Sequence, residues 1–131
     1  MGQDIVIMAA DYRRGAEQGS FVATEDGNVV GRLDLYHCDR IEERAAVGIF
    51  VEESLRGRGY GKRILAAFIV YCRDILHLHQ IYCDISLSNT PSLHLFSSLG
   101  FVRCGVLKEW SSGPSGWEDA CRMQLILQHT S

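Results

Sequence analysis

The chain has 131 residues, a formal net charge of −3 and a hydrophobic fraction of 47%. That length and composition describe one domain over 1–131 with a core of its own, and they exclude a disordered chain and a general nucleic-acid binder. No apolar stretch approaches a membrane span, and the N-terminus lacks the basic and apolar regions of a signal peptide, so a cytoplasmic location is expected.

Residues 1–19 are poorly defined. Ile5 to Ala10 is apolar and suits a short helix or a strand, and Tyr12 to Gly19 is polar. Phe21 to Thr24 reads as a strand, Glu25-Asp26-Gly27-Asn28 as a turn and Val29 to Tyr36 as the returning strand, because Asp-Gly between β-prone runs favours a hairpin. A charged connection from His37 to Arg44 leads to Ala45–Val51, whose near-continuous apolar character suits a central strand. Ile64, Leu65, Phe68, Ile69, Cys72, Ile75 and Leu76 repeat at helical spacing and predict a helix over 64–78. Gln80 to Ser86 is the next strand, joined to the one before by a parallel crossover. Pro91 opens a helix over 92–98, capped by Asn89 or Thr90 and stopped at Gly100. Phe101–Glu109 and Ala120–Leu127 are two closing strands, with a loop at Ser111–Gly116.

Cys38, Cys72, Cys83, Cys104 and Cys121 are odd in number and widely spread. With no Cys-x-x-Cys or Cys/His ligand spacing, they read as reduced thiols acting as small apolar residues, and no metal is expected.

Between the third strand and the first helix lies Leu55-Arg56-Gly57-Arg58-Gly59-Tyr60-Gly61-Lys62-Arg63. Alternating glycines leave the backbone unshielded, and a following helix offers its positive end to the same point. The cations make this a phosphate or pyrophosphate cradle; the alternative is an ordinary glycine turn with a solvated charge run. A P-loop is excluded, since three residues separate Gly57 from Gly61 and Arg63 stands where a hydroxyl is needed. The final glycine spacing also departs from the dinucleotide fingerprint.

Arg56-x-x-Gly59-x-Gly61 does fit another pattern. It resembles the pyrophosphate loop of the GNAT superfamily of acetyl-CoA-dependent N-acetyltransferases. Asn89 followed by Ser92-Leu93-His94-Leu95-Phe96-Ser97-Ser98-Leu99-Gly100-Phe101 resembles a second segment of that superfamily, in the right order and at a fitting distance. Gly31–Leu35, Arg44–Ile49, Gly105–Glu109 and Gly116–Asp119 are similar to the branch of ribosomal-protein and spermidine or diamine acetyltransferases.

The resemblance implies an α/β fold: a mixed, mostly antiparallel sheet with helices on both faces, and two parallel strands, 46–51 and 80–86, splayed to admit the pantetheine arm of acetyl-CoA. It implies pairing of that arm with the backbone of Phe50 and Val51, and pyrophosphate binding by Arg56, Gly57, Arg58, Gly59, Tyr60, Gly61 and Lys62. Further cofactor contacts are implied at Asn89, Ser92 and Phe96; Asn89 is equally an N-cap. The implied partners are acetyl-CoA and an amine acceptor, in a homodimer or a higher homo-oligomer.

The implied chemistry is direct attack by a neutral amine on the thioester. Asp84 is placed as its proton acceptor, burial between Cys83 and Ile85 being what would tune it; the alternative is a strand Asp bonded locally or facing solvent. The superfamily commonly carries a Tyr where this chain has Phe96, which has no proton for the departing thiolate. Tyr82, on the same strand face as Asp84 by alternation, is the substitute hydroxyl. A second departure is that residues 1–19 are too few for the strand and two helices that ordinarily come first, so a partner subunit is one way to complete the acceptor site. Asp34, Tyr36, Asp39, Glu42 and Glu43 form either an acidic rim for a cationic amine or a solvated loop. Trp110 and Trp117 line an acceptor pocket or pack at a subunit interface. A rival to the enzyme is a GNAT-like acyl-CoA-binding or interaction module that has lost catalysis.

Overall fold

The computed structural model describes residues 4–127. Seven strands form one sheet: β1 (Val6–Asp11), β2 (Gly19–Glu25), β3 (Asn28–Asp39), β4 (Arg44–Val51), β5 (Gln80–Ser86), β6 (Val102–Gly113) and β7 (Gly116–Ile126). Their spatial order is β1-β2-β3-β4-β5-β7-β6. Every neighbouring pair is antiparallel except β4 and β5. Among the described residues there are two α-helices, α1 (Tyr60–Asp74) and α2 (Thr90–Ser98).

Alternation decides what each face of the sheet does. Phe21, Leu33, Leu35, Ala45, Val47, Ile81, Cys83, Ile85, Cys121 and Met123 point one way and are buried. Ile64, Leu65, Phe68 and Cys72 of α1 and Leu93 and Phe96 of α2 belong to the same apolar cluster. Phe21 sits 5.2 Å from Phe68, ring centre to ring centre. Both described helices therefore cover one face. Helices on both faces were expected, but Tyr12–Gln18 forms no helix between β1 and β2 and supplies no second layer. The other face carries Ser20, Arg32, Asp34, Tyr36, Phe50, Tyr82, Asp84 and Arg122.

Several boundaries differ from those predicted. The stretch 5–10 resolves as the edge strand β1. Helix α1 begins at Tyr60, four residues ahead of its apolar stripe, because the first turn is polar and leaves no periodic mark. It ends at Asp74: Leu76 N–H returns to Tyr71 O, Leu78 N–H returns to Cys72 O, and His77 is left-handed. Ile75, expected on the apolar face, is 60% exposed. The hairpin of β6 and β7 runs through the loop expected at 111–116, with Ser111 paired to Glu118 and Gly113 to Gly116. Those small polar residues satisfy their backbone across the hairpin without any apolar alternation. No described helix is long and apolar enough to cross a membrane.

Candidate functional site

Strands β4 and β5 pair at three positions, Arg44 with Gln80, Ala45 with Ile81 and Ala46 with Tyr82, and no further. Beyond them, five residues of β4 and four of β5 run on without each other. The phase of the neighbouring ladders identifies the groups left facing the opening. Glu52 N–H bonds to Val30 O, so alternate residues Phe50 and Gly48 turn their polar groups toward β3. Val47, Ile49 and Val51 turn theirs toward β5. Leu127 N–H bonds to His79 O and Leu87 N–H to Asp119 O, so Ile81, Cys83 and Ile85 serve β7 while Asp84 and Ser86 face the opening. The Ala46–Tyr82 pairing takes up Val47 N–H, Arg56 Nε takes Val51 O and Asn89 N–H takes Ser86 O. The slot is then lined by Val47 O, both groups of Ile49 and Val51 N–H on one wall and by both groups of Asp84 and Ser86 N–H on the other, suited to an extended chain that carries amides. Phe50 was expected to offer its backbone here. Its ladder phase directs that backbone to β3, and Ile49 takes the place.

The glycine loop closes the C-terminal end of β4. A 3-10 turn over Glu53–Leu55 leads to Arg56. Gly57 and Gly59 have φ of 78° and 80°, and a Cβ on either would meet open space, so glycine is needed there for its backbone conformation alone. No side chain caps α1, and its first turn contains no acid. Its leading N–H groups and positive end therefore face the loop. Arg56 folds back along β4, donating from Nε to Val51 O at 3.1 Å with its guanidinium 5.0 Å from the Phe50 ring centre. Arg58 and Lys62 are exposed. Tyr60 and Arg63 are tied to Glu25, which the sequence did not single out. Long-range pairs of this kind leave no mark in local spacing.

On the other wall, Asp84 and Tyr82 share the helix-free face as alternation predicts. Asp84 does not lie in the apolar setting expected of it. Its carboxylate accepts from Arg122 Nε at 2.8 Å and Nη2 at 2.9 Å, and its side chain keeps 21% of its exposure. The same guanidinium lies 4.8 Å from the Tyr82 ring centre. The pair holds Arg122 above the usual arginine range, chiefly through its hydrogen bonds to Asp84. Arg122 escaped notice because it sits on a closing strand 38 residues away. Past the end of β5, Glu118 of β7 accepts from the hydroxyls of Ser86 (2.6 Å) and Ser88 (2.9 Å), which hold its carboxyl below the ordinary value.

Asn89 caps α2, its Oδ1 accepting from Ser92 N–H at 3.3 Å. Phe96 is 3% exposed and packs edge-on against Phe101 at 4.9 Å. The acidic rim divides. Asp34 accepts from Ser20 Oγ at 3.0 Å and lies near the Tyr36 hydroxyl, whose ring passes over Gly48 of β4. Asp39 caps the turn before β4 by accepting from Ile41 and Glu42 N–H. It sits with Glu42 and Glu43 at the start of β4, the opposite end from the glycine loop. Trp110 and Trp117 are 54% and 67% exposed on the β6–β7 hairpin. A cavity of about 640 Å³ lies at the C-terminal end of α1, lined by Tyr12, Leu35, Cys38, Tyr71, Ile75 and Leu78 among others, and includes no residue of the loop or slot.

A mixed sheet opened between two parallel strands, with an uncapped helix start and a glycine loop at its mouth, has the shape and polarity to accept an extended, anionic chain along the strand edges. The model of the Acetyltransferase (GNAT) family matches residues 3–101, and the chain belongs to that family. It is 27% identical over 111 residues to the spermidine N(1)-acetyltransferase of Vibrio cholerae, covering 85% of this chain and 64% of that enzyme. It is 30% identical to an N-alpha-acetyltransferase of Sulfurisphaera tokodaii, covering 76% of this chain and 66% of that protein. The chain thus spans just under two-thirds of these relatives' length. A solved chimera of Vibrio cholerae spermidine N-acetyltransferase SpeG and hSSAT superposes with a TM-score of 0.82 at 25% identity, over 86% of this chain and 69% of that one.

Proposed function

We propose that this chain transfers an acetyl group from acetyl-CoA to a primary amine, by direct attack within a ternary complex. The observation that carries the proposal is the slot where β4 and β5 stop pairing after Ala46 and Tyr82. In this reading the pantetheine amides take up Val47 O, the ladder groups of Ile49 and Val51 N–H, and the pyrophosphate rests on the N–H groups of Gly57 to Gly61 and the start of α1. Arg58 and Lys62 add charge to that contact, and Asn89 and Ser92 lie at the other wall. The amine nitrogen attacks the acetyl carbonyl, the carbon–sulfur bond breaks, and CoA leaves as its thiolate. Asp84, directly or through water, accepts the proton that the amine must lose, using lone pairs beyond those held by Arg122. Tyr82 is the hydroxyl available to the thiolate, since Phe96 has none. The thiolate is a fair leaving group unaided, with the pKa of a cysteine at about 8.5.

The acceptor class rests on the relatives. A diamine or polyamine follows from the Vibrio cholerae enzyme, and a protein N-terminus from the Sulfurisphaera tokodaii one. Asp34 beside the slot suits a cationic amine of either kind. The test is a thiol-release assay with acetyl-CoA across polyamines, aminoglycosides and peptides, with products read by mass spectrometry. Turnover on at least one amine supports the enzyme. Cofactor binding with no turnover on any favours the second reading, an acyl-CoA-binding module without catalysis, for which the phenol-free Phe96 speaks.

A further inference from the structure

One carboxylate binds the β2–β3 hairpin to the first turn of α1. Glu25, the last residue of β2, accepts from the Tyr60 hydroxyl at 2.5 Å through one oxygen and from Arg63 Nη2 at 2.6 Å through the other. The Arg63 guanidinium lies 5.1 Å from the Tyr60 ring centre, which closes the cluster. Glu25 enters the hairpin turn directly, Asp26 and Gly27 beside it both having the positive φ of a two-residue turn. Tyr60 is the first residue of α1 and follows left-handed Gly59 directly. Fixing its side chain therefore fixes the point at which the glycine loop becomes helix.

We propose that Glu25 is a positioning residue for the anion-binding loop. It sets the N–H groups of residues 57–61 in their receptive arrangement before an anion arrives. The inference rests on the reading that this loop takes the CoA pyrophosphate. Removing Glu25 has two opposed effects. The loop must then be ordered on binding, which weakens affinity. A negative charge is also lost and Arg63 is released from it, which strengthens attraction for an anion. Arg63 is 40% exposed, so that attraction is screened and fades with salt, whereas the ordering cost does not. Ordering prevails at physiological ionic strength.

The test is calorimetric titration of acetyl-CoA into the full chain and into Glu25→Ala, Tyr60→Phe and the double variant, at about 0.15 M and about 0.5 M salt. Glu25→Ala is expected to raise Kd about tenfold and Tyr60→Phe about threefold. The double variant is expected to bind no more weakly than Glu25→Ala alone, because both substitutions undo one contact. The Glu25→Ala deficit is expected to grow with salt. Affinities within twofold of the parent for both single variants, tighter binding by Glu25→Ala at both salts, or fully additive losses would each overturn the positioning role. Should Glu25→Ala fail to fold, Glu25→Gln, which keeps one acceptor oxygen and loses the charge and the second, is expected to raise Kd about threefold, and an affinity within twofold of the parent would overturn the role. If the parent chain takes up no acetyl-CoA, both readings fall. If the parent binds and Glu25→Ala binds equally, the positioning role falls alone.

Discussion

Arg122 holds Asp84 through two parallel hydrogen bonds, Nε to Oδ1 and Nη2 to Oδ2, while its guanidinium covers the ring of Tyr82. This fork ties the wall of the slot to β7 and orients the carboxylate assigned as proton acceptor. Asp84→Asn keeps the shape and removes the base, so kcat is expected to fall about a hundredfold or more. Arg122→Lys keeps the charge without the bidentate geometry, and its kcat is expected to fall between the two. Steady-state rates across pH read both. An unchanged rate and pH profile in Asp84→Asn would remove Asp84 from the mechanism.

Tyr82 is assigned the proton for the thiolate. Tyr82→Phe is expected to lower kcat by about tenfold to a hundredfold, with a smaller loss for an acyl donor whose thiol is more acidic. Equal losses for the two donors in a thiol-release assay would contradict the assignment.

Gly59 tests the loop's backbone. Alanine there keeps its surroundings free of clash but forces a side chain into left-handed geometry, at a cost of about 1–2 kcal/mol. Gly59→Ala is expected to weaken acetyl-CoA binding about tenfold while shifting Tm by only a few degrees. Calorimetry and thermal unfolding measure the two, and full-strength binding would show that the loop conformation is not what holds the anion.

Much of this was legible in the chain. Arg56, Gly59 and Gly61, with Asn89 and the Leu99-Gly100-Phe101 ending, located the loop, the cap of α2 and the two strands that part. Asp-Gly at 26–27 gave the hairpin. What escaped depends on register or on distant partners. The spacing of residues does not tell whether Phe50 or Ile49 turns its N–H to the slot; a ladder bond such as Glu52 to Val30 does. Nor does it join Arg122 to Asp84, or Glu25 to Tyr60 and Arg63, across 35 or more residues. Asp84 looked like a carboxylate between apolar neighbours, yet Cys83 and Ile85 point to the other face.

Acid should loosen the hairpin contact. Hydrogen bonds from Tyr60 and Arg63 hold the Glu25 carboxyl below its ordinary value of 4.5. A depressed folded-state pKa means stability that is present above the unfolded value and lost as pH falls through the folded one. The Tm gap between the parent and Glu25→Gln is therefore expected to be full at pH 7 and to shrink below about pH 4.5. A gap that is constant from pH 7 to pH 3 would contradict this.

The central claim is that the arm of acetyl-CoA fills the opening between β4 and β5. Amide hydrogen exchange with and without saturating acetyl-CoA tests it directly. The account predicts slowed exchange at Ile49 and Val51, at Asp84 and Ser86, and through Gly57 to Gly61. Binding that leaves the β4 and β5 amides exchanging as before, or no binding at all, would contradict it.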